Sequence, residues 1–359
     1  MQTTKLFDKH QSLGASFTDF GGWNMPVRYG SDLEEHHAVR SHAGVFDISH
    51  MAEIFATGDP KFLDYAVGAK PSDLKIGRAK YTLLLNDAGK VIDDLIVYRL
   101  GENQFLIVAN AGNRQAAFEA LKTRASGFEV EVADHSDDYA LIAIQGPKAA
   151  GLLQAACDVD LTTLPYYSIA EAKLNGTAVH LARTGYTGED GFEVLVSNQD
   201  AEKVWDLLLA MDGVKPCGLA ARDTLRLEAG MPLYGHELDL NTNPFEAGLQ
   251  KTLRFEKEFV GSAVLEREID KSPNKKLFAL RGEGKRAARQ DYEIFVPGGK
   301  LIGKVTSGIL SPTLGYPIAL AYLEGDAGIE IGDKLEADVR GTRVLYEVVA
   351  MPFYKREGK

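Results

Sequence analysis

Two consecutive carboxylates, Asp93 and Asp94, stand within Val-Ile-Asp-Asp-Leu-Ile-Val-Tyr, a run that otherwise reads as a strand. Aspartate is disfavoured in a strand interior, so something must compensate for it there. Side chains alternate across a strand, which puts Asp94, Ile96 and Tyr98 on one face and Asp93, Leu95 and Val97 on the other. One acid of the pair is thereby aimed at a pocket or a core. The alternative is that the strand begins later and both acids belong to the preceding turn.

A second pattern lies at 219–239, where Arg222 and Arg226 are four residues apart among Leu219, Leu225 and Leu227, with Asp223 and Glu228 beside them. The spacing predicts a short helix with both arginines on one face, ended by Gly230 as the C′ residue and Pro232 just beyond. The arginines either pair with the neighbouring acids on a solvated face or form an anion clamp, since a guanidinium fork grips a carboxylate or phosphate in two-point geometry. In Arg183-Thr-Gly-Tyr-Thr-Gly-Glu-Asp-Gly-Phe-Glu193 the glycines have the wrong spacing for a dinucleotide loop, and a strand follows instead of a helix. A tight turn is the plainer reading. Glu193 then opens the next strand, either as a solvated strand end or as an acceptor for a ligand. Tyr166 and Tyr167 after Pro165, and Tyr186 in the glycine turn, offer aromatic faces suited to a flat ring. His36, His37, His42 and His50 are close in sequence but match no zinc spacing, so no metal site is expected; His37 and Glu34 are expected on a helix surface.

These residues need elements to hold them. Tyr81 to Leu85, Val91 to Leu100 and Phe105 to Ala109 form an antiparallel meander. A helix over Asn113 to Lys122, strands at Glu129 to Ala133 and Tyr139 to Ile144, and a helix starting at Pro147 follow. The pattern then repeats in outline: strands at Ile169 to Leu174, Val179 to Arg183 and Phe192 to Val196, then a helix burying Val204, Leu207, Leu208 and Met211. Beyond Pro273 come short strands broken by glycines, at Leu277 to Leu280, Tyr292 to Val296, Leu301 to Thr306, Ile318 to Tyr322, Leu335 to Val339 and Val344 to Ala350, a small barrel or sandwich. Lys-Ser-Pro-Asn-Lys-Lys at 271–276 is the expected linker.

At 359 residues two or three domains are expected. There is no run of about 18 apolar residues, which argues against a membrane span, and the polar opening Met-Gln-Thr-Thr-Lys lacks the features of a signal peptide, so a cytoplasmic location is expected. Cys157 and Cys217, with no Cys-x-x-Cys, suit a reducing compartment. The net charge of −11 opposes binding to nucleic acid, and Lys285, Arg286 and Arg289 read as a solvated loop. The oligomeric expectation is a monomer or weak dimer.

The segment at 219–239 closely resembles the signature of the aminomethyltransferase family, the T-proteins of the glycine cleavage system. The resemblance runs from the Phe-Gly-Gly-Trp segment near residue 20 to the Met-Pro-Phe-Tyr near the C-terminus. It implies an α+β, three-lobed chain: residues 1–270 as two intertwined mixed α/β lobes, ferredoxin-like or Greek-key-like, with the meander lobe at about 51–140, and a C-terminal small β-barrel or sandwich at 274–357. It implies transfer of a one-carbon unit from the aminomethylated dihydrolipoyl arm of a carrier, the H-protein, to tetrahydrofolate, with release of ammonia and without metal. It implies Asp94 as the catalytic acid, Glu193 as the acceptor for the pterin edge, and Arg222, with Arg356 as a weaker match, for the tail carboxylates. Tyr81, Tyr98, Tyr166, Tyr167 and Tyr186 match positions of the folate pocket, and Met51, in Asp47-Ile-Ser-His-Met51, a pocket wall. Two relatives share the fold, a tetrahydrofolate-dependent demethylase and a non-enzymatic folate-binding iron–sulfur maturation factor. The motif of the latter, Lys-Gly-Cys-Tyr-x-Gly-Gln-Glu, is absent; the comparable region reads Glu258-Phe-Val-Gly-Ser-Ala-Val.

Overall fold

The computed structural model describes residues 1–356; Glu357, the last residue of the expected barrel, lies outside them. The meander forms as expected, with strands Ala79–Leu85, Val91–Arg99 and Gln104–Ala109, and is extended on its far edge by Ala52–Gly58 and Val130–Asp134 into a five-stranded antiparallel sheet. Alternation along each strand gives it two apolar faces. One packs against the helices Lys61–Ala66 and Arg114–Arg124 through Ile54, Leu95, Val97 and Ile107.

The second sheet has six strands, in the order Ile169–Leu174, Thr177–Ala182, Gly191–Ser197, Tyr139–Gln145, Gly44–Asp47 and Lys215–Pro216. Its outer face is covered by Ala149–Gln154 and Ala201–Leu209. Two expectations shift here. The first helix starts two residues after Pro147, within the ordinary uncertainty of helix ends. The second buries Val204, Trp205 and Leu208 and stops before Met211, which with Leu207 is only half-buried at the edge.

The inner faces of the two sheets meet. Tyr98, Leu106 and Val108 from the first pack with Leu141, Ala143 and Leu195 from the second, and Ala221 and Leu225 of the helix Leu219–Glu228 complete this middle layer. The other side of that helix puts Leu227 against Ala279, Ile309 and Leu320 of the third lobe, a closed six-stranded barrel. The signature helix therefore touches all three lobes. It ends as its sequence requires: Gly230 sits at φ +67, and its N–H and that of Met231 return to the carbonyls of Leu227 and Arg226, at 2.9 Å each.

The solvated reading of this helix does not hold for Arg226, Glu228 or the joint they make. Arg226 is 1% exposed; it donates to Asp223 (2.9 Å), to Glu237 (3.0 Å) and to Ser307 on the barrel (2.7 Å). Glu228 is fully buried and accepts from Arg40 (2.8 Å) and from the backbone N–H of Thr313 (3.0 Å). Burial alone would raise its pKa, but His36, Ser311 and Arg40 hold it down to about 2. Cutting one partner from such a pair strands the other charge in the interior. Arg226→Ala is therefore expected to destabilise the protein by about 3–5 kcal/mol, read as a lowered urea midpoint, and Arg226→Met with Glu237→Leu to recover most of that loss. A midpoint unchanged in the single variant would show that the joint carries no stability.

Candidate active site

Where the two sheets fail to close over each other, a cavity of about 440 Å³ opens. Asp94 lies in its wall and is half-buried. Both acids of the pair are inside the strand, and alternation separates them as the sequence implies. Asp93 points to the helix-covered face, is fully buried, and accepts from the Asn110 backbone N–H (2.9 Å), the Asn110 side chain (2.8 Å) and Asn113 (2.7 Å). Asp94 accepts from the Tyr81 hydroxyl (3.0 Å) and from Asn110 Nδ2 (2.9 Å). Leu83 pairs with Asp94 across the ladder, so Tyr81, two residues along, is the diagonal neighbour whose ring can reach it. Burial raises the pKa of both carboxyls, which lie close enough to titrate as a pair; the donors from Tyr81 and Asn110 pull Asp94 back toward the ionised form.

Glu193 faces the same cavity from the second sheet. The Thr184 hydroxyl (2.6 Å) and the Tyr98 hydroxyl (3.3 Å) converge on its Oε2. A carboxylate has about four acceptor sites, so capacity remains for a ligand. Behind it the glycine turn is built on Gln145, which donates to the Thr184 carbonyl (3.0 Å) and accepts from Thr187 (2.9 Å). A Cβ on Gly185 would lie 2.0 Å from the Gln145 oxygen, so only glycine lets the turn come this close. Tyr186, from that turn, is anchored by its hydroxyl to the Pro232 carbonyl. Arg222 lies over the Tyr186 ring at 4.8 Å, and among the described residues its guanidinium has no hydrogen-bond or ion-pair partner. Met51 and Tyr167 line the cavity as well.

Three expected binding residues are not in this wall. Tyr98 is 2% exposed and packed in the middle layer, where its hydroxyl supports Glu193 from behind. Arg356 is 3.5 Å from Asp190, a partner it shares with Arg183, and lies 5.7 Å over the ring of Tyr166. Tyr166 sits edge-on behind Tyr167, at 5.0 Å. Conversely, Asn110, His50 and Tyr234 line the cavity although their sequence patterns do not mark them as site residues. Asn110 and its neighbour Asn113 end a strand in the Asn-Ala-Gly-Asn turn, a signal that reads only as a loop. In the sequence His50 stands out only as one of four clustered histidines, and Tyr234 only as one residue of the signature.

An apolar, aromatic-walled cavity with two carboxyls and one guanidinium left unpaired among the described residues, set between two α+β lobes, is a small-molecule site suited to a flat, donor-rich group with an anionic end. The family models describe the same chain: the GCVT N-terminal domain matches residues 6–257 and the glycine cleavage T-protein C-terminal barrel domain matches 275–355. The aminomethyltransferase of Saccharopolyspora erythraea is 50% identical over 360 residues, covering 98% of both chains, and that of Thermotoga maritima 43% identical over 362, covering 99% and 98%. The solved structure of the glycine cleavage system aminomethyltransferase T from Bartonella henselae is 37% identical, superposes with a TM-score of 0.93, and covers 99% of this chain and 98% of its own. The chain belongs to the aminomethyltransferase family, the glycine cleavage T-proteins.

Because burial raises the Asp94 carboxyl and Asn110 lowers it, removing Asn110 should move its titration further up. In ¹³C-aspartate-labelled protein, the Asp94 carboxyl is expected to titrate above the ordinary carboxylate range, and Asn110→Ala to shift that transition to still higher pH. A transition at the ordinary range in both proteins would take Asn110 out of the electrostatics of the site.

Proposed function

We propose that this chain transfers the one-carbon unit of an S-aminomethyldihydrolipoyl carrier, the H-protein, to tetrahydrofolate, giving 5,10-methylenetetrahydrofolate, ammonia and the dihydrolipoyl carrier. The observation that carries the reading is Asp94, a half-buried carboxyl in the cavity wall, held by Tyr81 and Asn110 opposite Glu193. Glu193 accepts the two adjacent N–H groups of a pterin edge, a charge-assisted arrangement that neutral acceptors do not match. Tyr81, Tyr167 and Tyr186 wall the flat ring, and Arg222 meets the carboxylate tail.

The acceptor nitrogen attacks the aminomethyl carbon, the C–S bond breaks, and its electron pair leaves on sulfur. Loss of ammonia leaves a cationic iminium, which the second folate nitrogen closes upon. Asp94 orients that amine and stabilises the positive charge as it develops. Its donors, Tyr81 and Asn110, are neutral, so among the described residues no cation is hydrogen-bonded to it. Among the described residues no helix is long and apolar enough to cross a membrane. With Cys157 and Cys217 both as free thiols, we place the reaction in the cytoplasm.

Asp94→Asn is expected to lower turnover about 100-fold or more, on the order of 3 kcal/mol, while folate still binds; near-normal turnover would remove Asp94 from the mechanism. Glu193→Ala and Arg222→Ala are expected to weaken tetrahydrofolate binding at least tenfold, and calorimetry giving wild-type affinity for both would sink their assignments.

A further inference from the structure

The buried histidines are treated unequally. His10 is 1% exposed and bonded through both nitrogens, to Asp47 and to Tyr29, at 2.8 Å each. His36, with no exposure, bonds to Thr224 (2.7 Å) and Thr313 (2.8 Å). His50 is 1% exposed, and among the described residues neither ring nitrogen has a hydrogen-bond partner. Unmet buried polar groups are destabilising and call for an explanation. Among the described residues five other side-chain atoms are buried without a hydrogen-bond partner, on Glu53, Thr177, Trp205 and Arg356, and none of these residues lines the cavity, whereas His50 does. Its missing partner can therefore arrive with a ligand.

The ring is held for that purpose. Phe20, at the tip of the hairpin Ser16–Phe20 and Trp23–Arg28, meets it edge-on at 5.5 Å, which ties the Phe-Gly-Gly-Trp segment to the cavity roof. Burial, and then the nearby Arg222 guanidinium, push its pKa down to about 3, so the ring is neutral and offers one N–H donor and one lone pair. A cationic ligand group would be repelled by Arg222, whose own donors are unused among the described residues. An anionic group is attracted by Arg222 and can accept the imidazole N–H.

We propose that His50 is a positioning residue that donates a ring N–H to the same anionic group of a bound substrate that Arg222 binds, making a two-point anion site from one cation and one neutral donor. This rests on the function proposed above and deepens it: the anion is either the folate tail carboxylate or the sulfur of the dihydrolipoyl arm as a thiolate.

Binding of 5-formyltetrahydrofolate, of tail-less tetrahydropterin and of dihydrolipoamide to the full-length protein separates the two sources. If the carboxylate is the ligand, His50→Ala weakens 5-formyltetrahydrofolate about tenfold and leaves tetrahydropterin unchanged. If it is the thiolate, only dihydrolipoamide weakens. Either way His50→Gln, whose amide can donate from a similar position, recovers part of the loss. In ¹⁵N-histidine-labelled wild-type protein the His50 ring resonances shift with the same ligand, a readout that stands even if the variants misfold. A folded His50→Ala that binds all three within twofold of wild type, or ring resonances that ignore every ligand, overturns the proposal. Loss of binding in Arg222→Ala but not in His50→Ala overturns the role of His50 alone, whereas a wild-type protein that binds no folate overturns the function on which it rests.

Discussion

The buried guanidinium of Arg226 fixes the geometry on which the rest of the molecule depends. It joins the signature helix to Glu237 on the following loop and to Ser307 on the barrel, while Glu228, half a turn on, joins the same helix to Arg40 and to the loop at Thr313. Buried ion pairs are weak evidence for stability, because desolvation offsets much of their attraction. Their directional demands are strict, however, and here Ser307 and Thr313 carry the contacts across to the barrel lobe. The helix can pack in only one rotation, and that rotation sets Arg222, one turn earlier, at the cavity. Two arginines on one helical face thus divide the work: one is saturated by protein acceptors, and the other is left open.

The same contrast governs the acids. Asp93 and Asp94 are adjacent in sequence but opposite in the sheet, and the Asn110 side chain donates to both. That amide is the physical link between a carboxylate locked under a turn and one that faces a ligand. Among the described residues neither acid has an arginine or lysine as a hydrogen-bonding partner. A guanidinium at that distance would hold Asp94 ionised, but would also neutralise the field it presents to the cavity. Hydroxyl and amide donors favour the ionised form without cancelling it, which is what a group that must stabilise a transient cation needs.

Much of this was legible in the chain. The meander, both α+β repeats and the barrel follow from alternation, glycine turns and length, because those elements are local and bury one side of each strand. Asp94 and Glu193 could be put on strand faces, and resemblance rather than spacing chose between their solvated and ligand-facing readings. Tyr98 shows the limit of that inference: the alternation is right, yet strand position cannot say that the cavity ends before Tyr98 and that its hydroxyl is taken up by Thr184 and Glu193. The placement of Arg356 is hidden for a different reason, since its partner Asp190 is 166 positions away and nothing local marks the pair.

The first fifty residues were the least readable, and the reason bears on the site. Gly44–Asp47 is four residues long, buried on both faces, and belongs to a sheet whose other strands come almost a hundred residues later or more; it has neither the alternation nor the neighbours that announce a strand. Immediately after it the chain leaves that sheet and enters the other at Ala52. The four residues that make this crossing, Ile48 to Met51, run past the opening between the sheets, with Ser49 held by Asp47 (2.9 Å) and Met51 turned back on Ile48 (3.0 Å). Ile48, His50 and Met51 line the cavity because the crossing passes there. The event that intertwines the lobes is therefore also the one that furnishes the roof of the site, and a substitution that loosened the short strand would act on the cavity before it acted on either core.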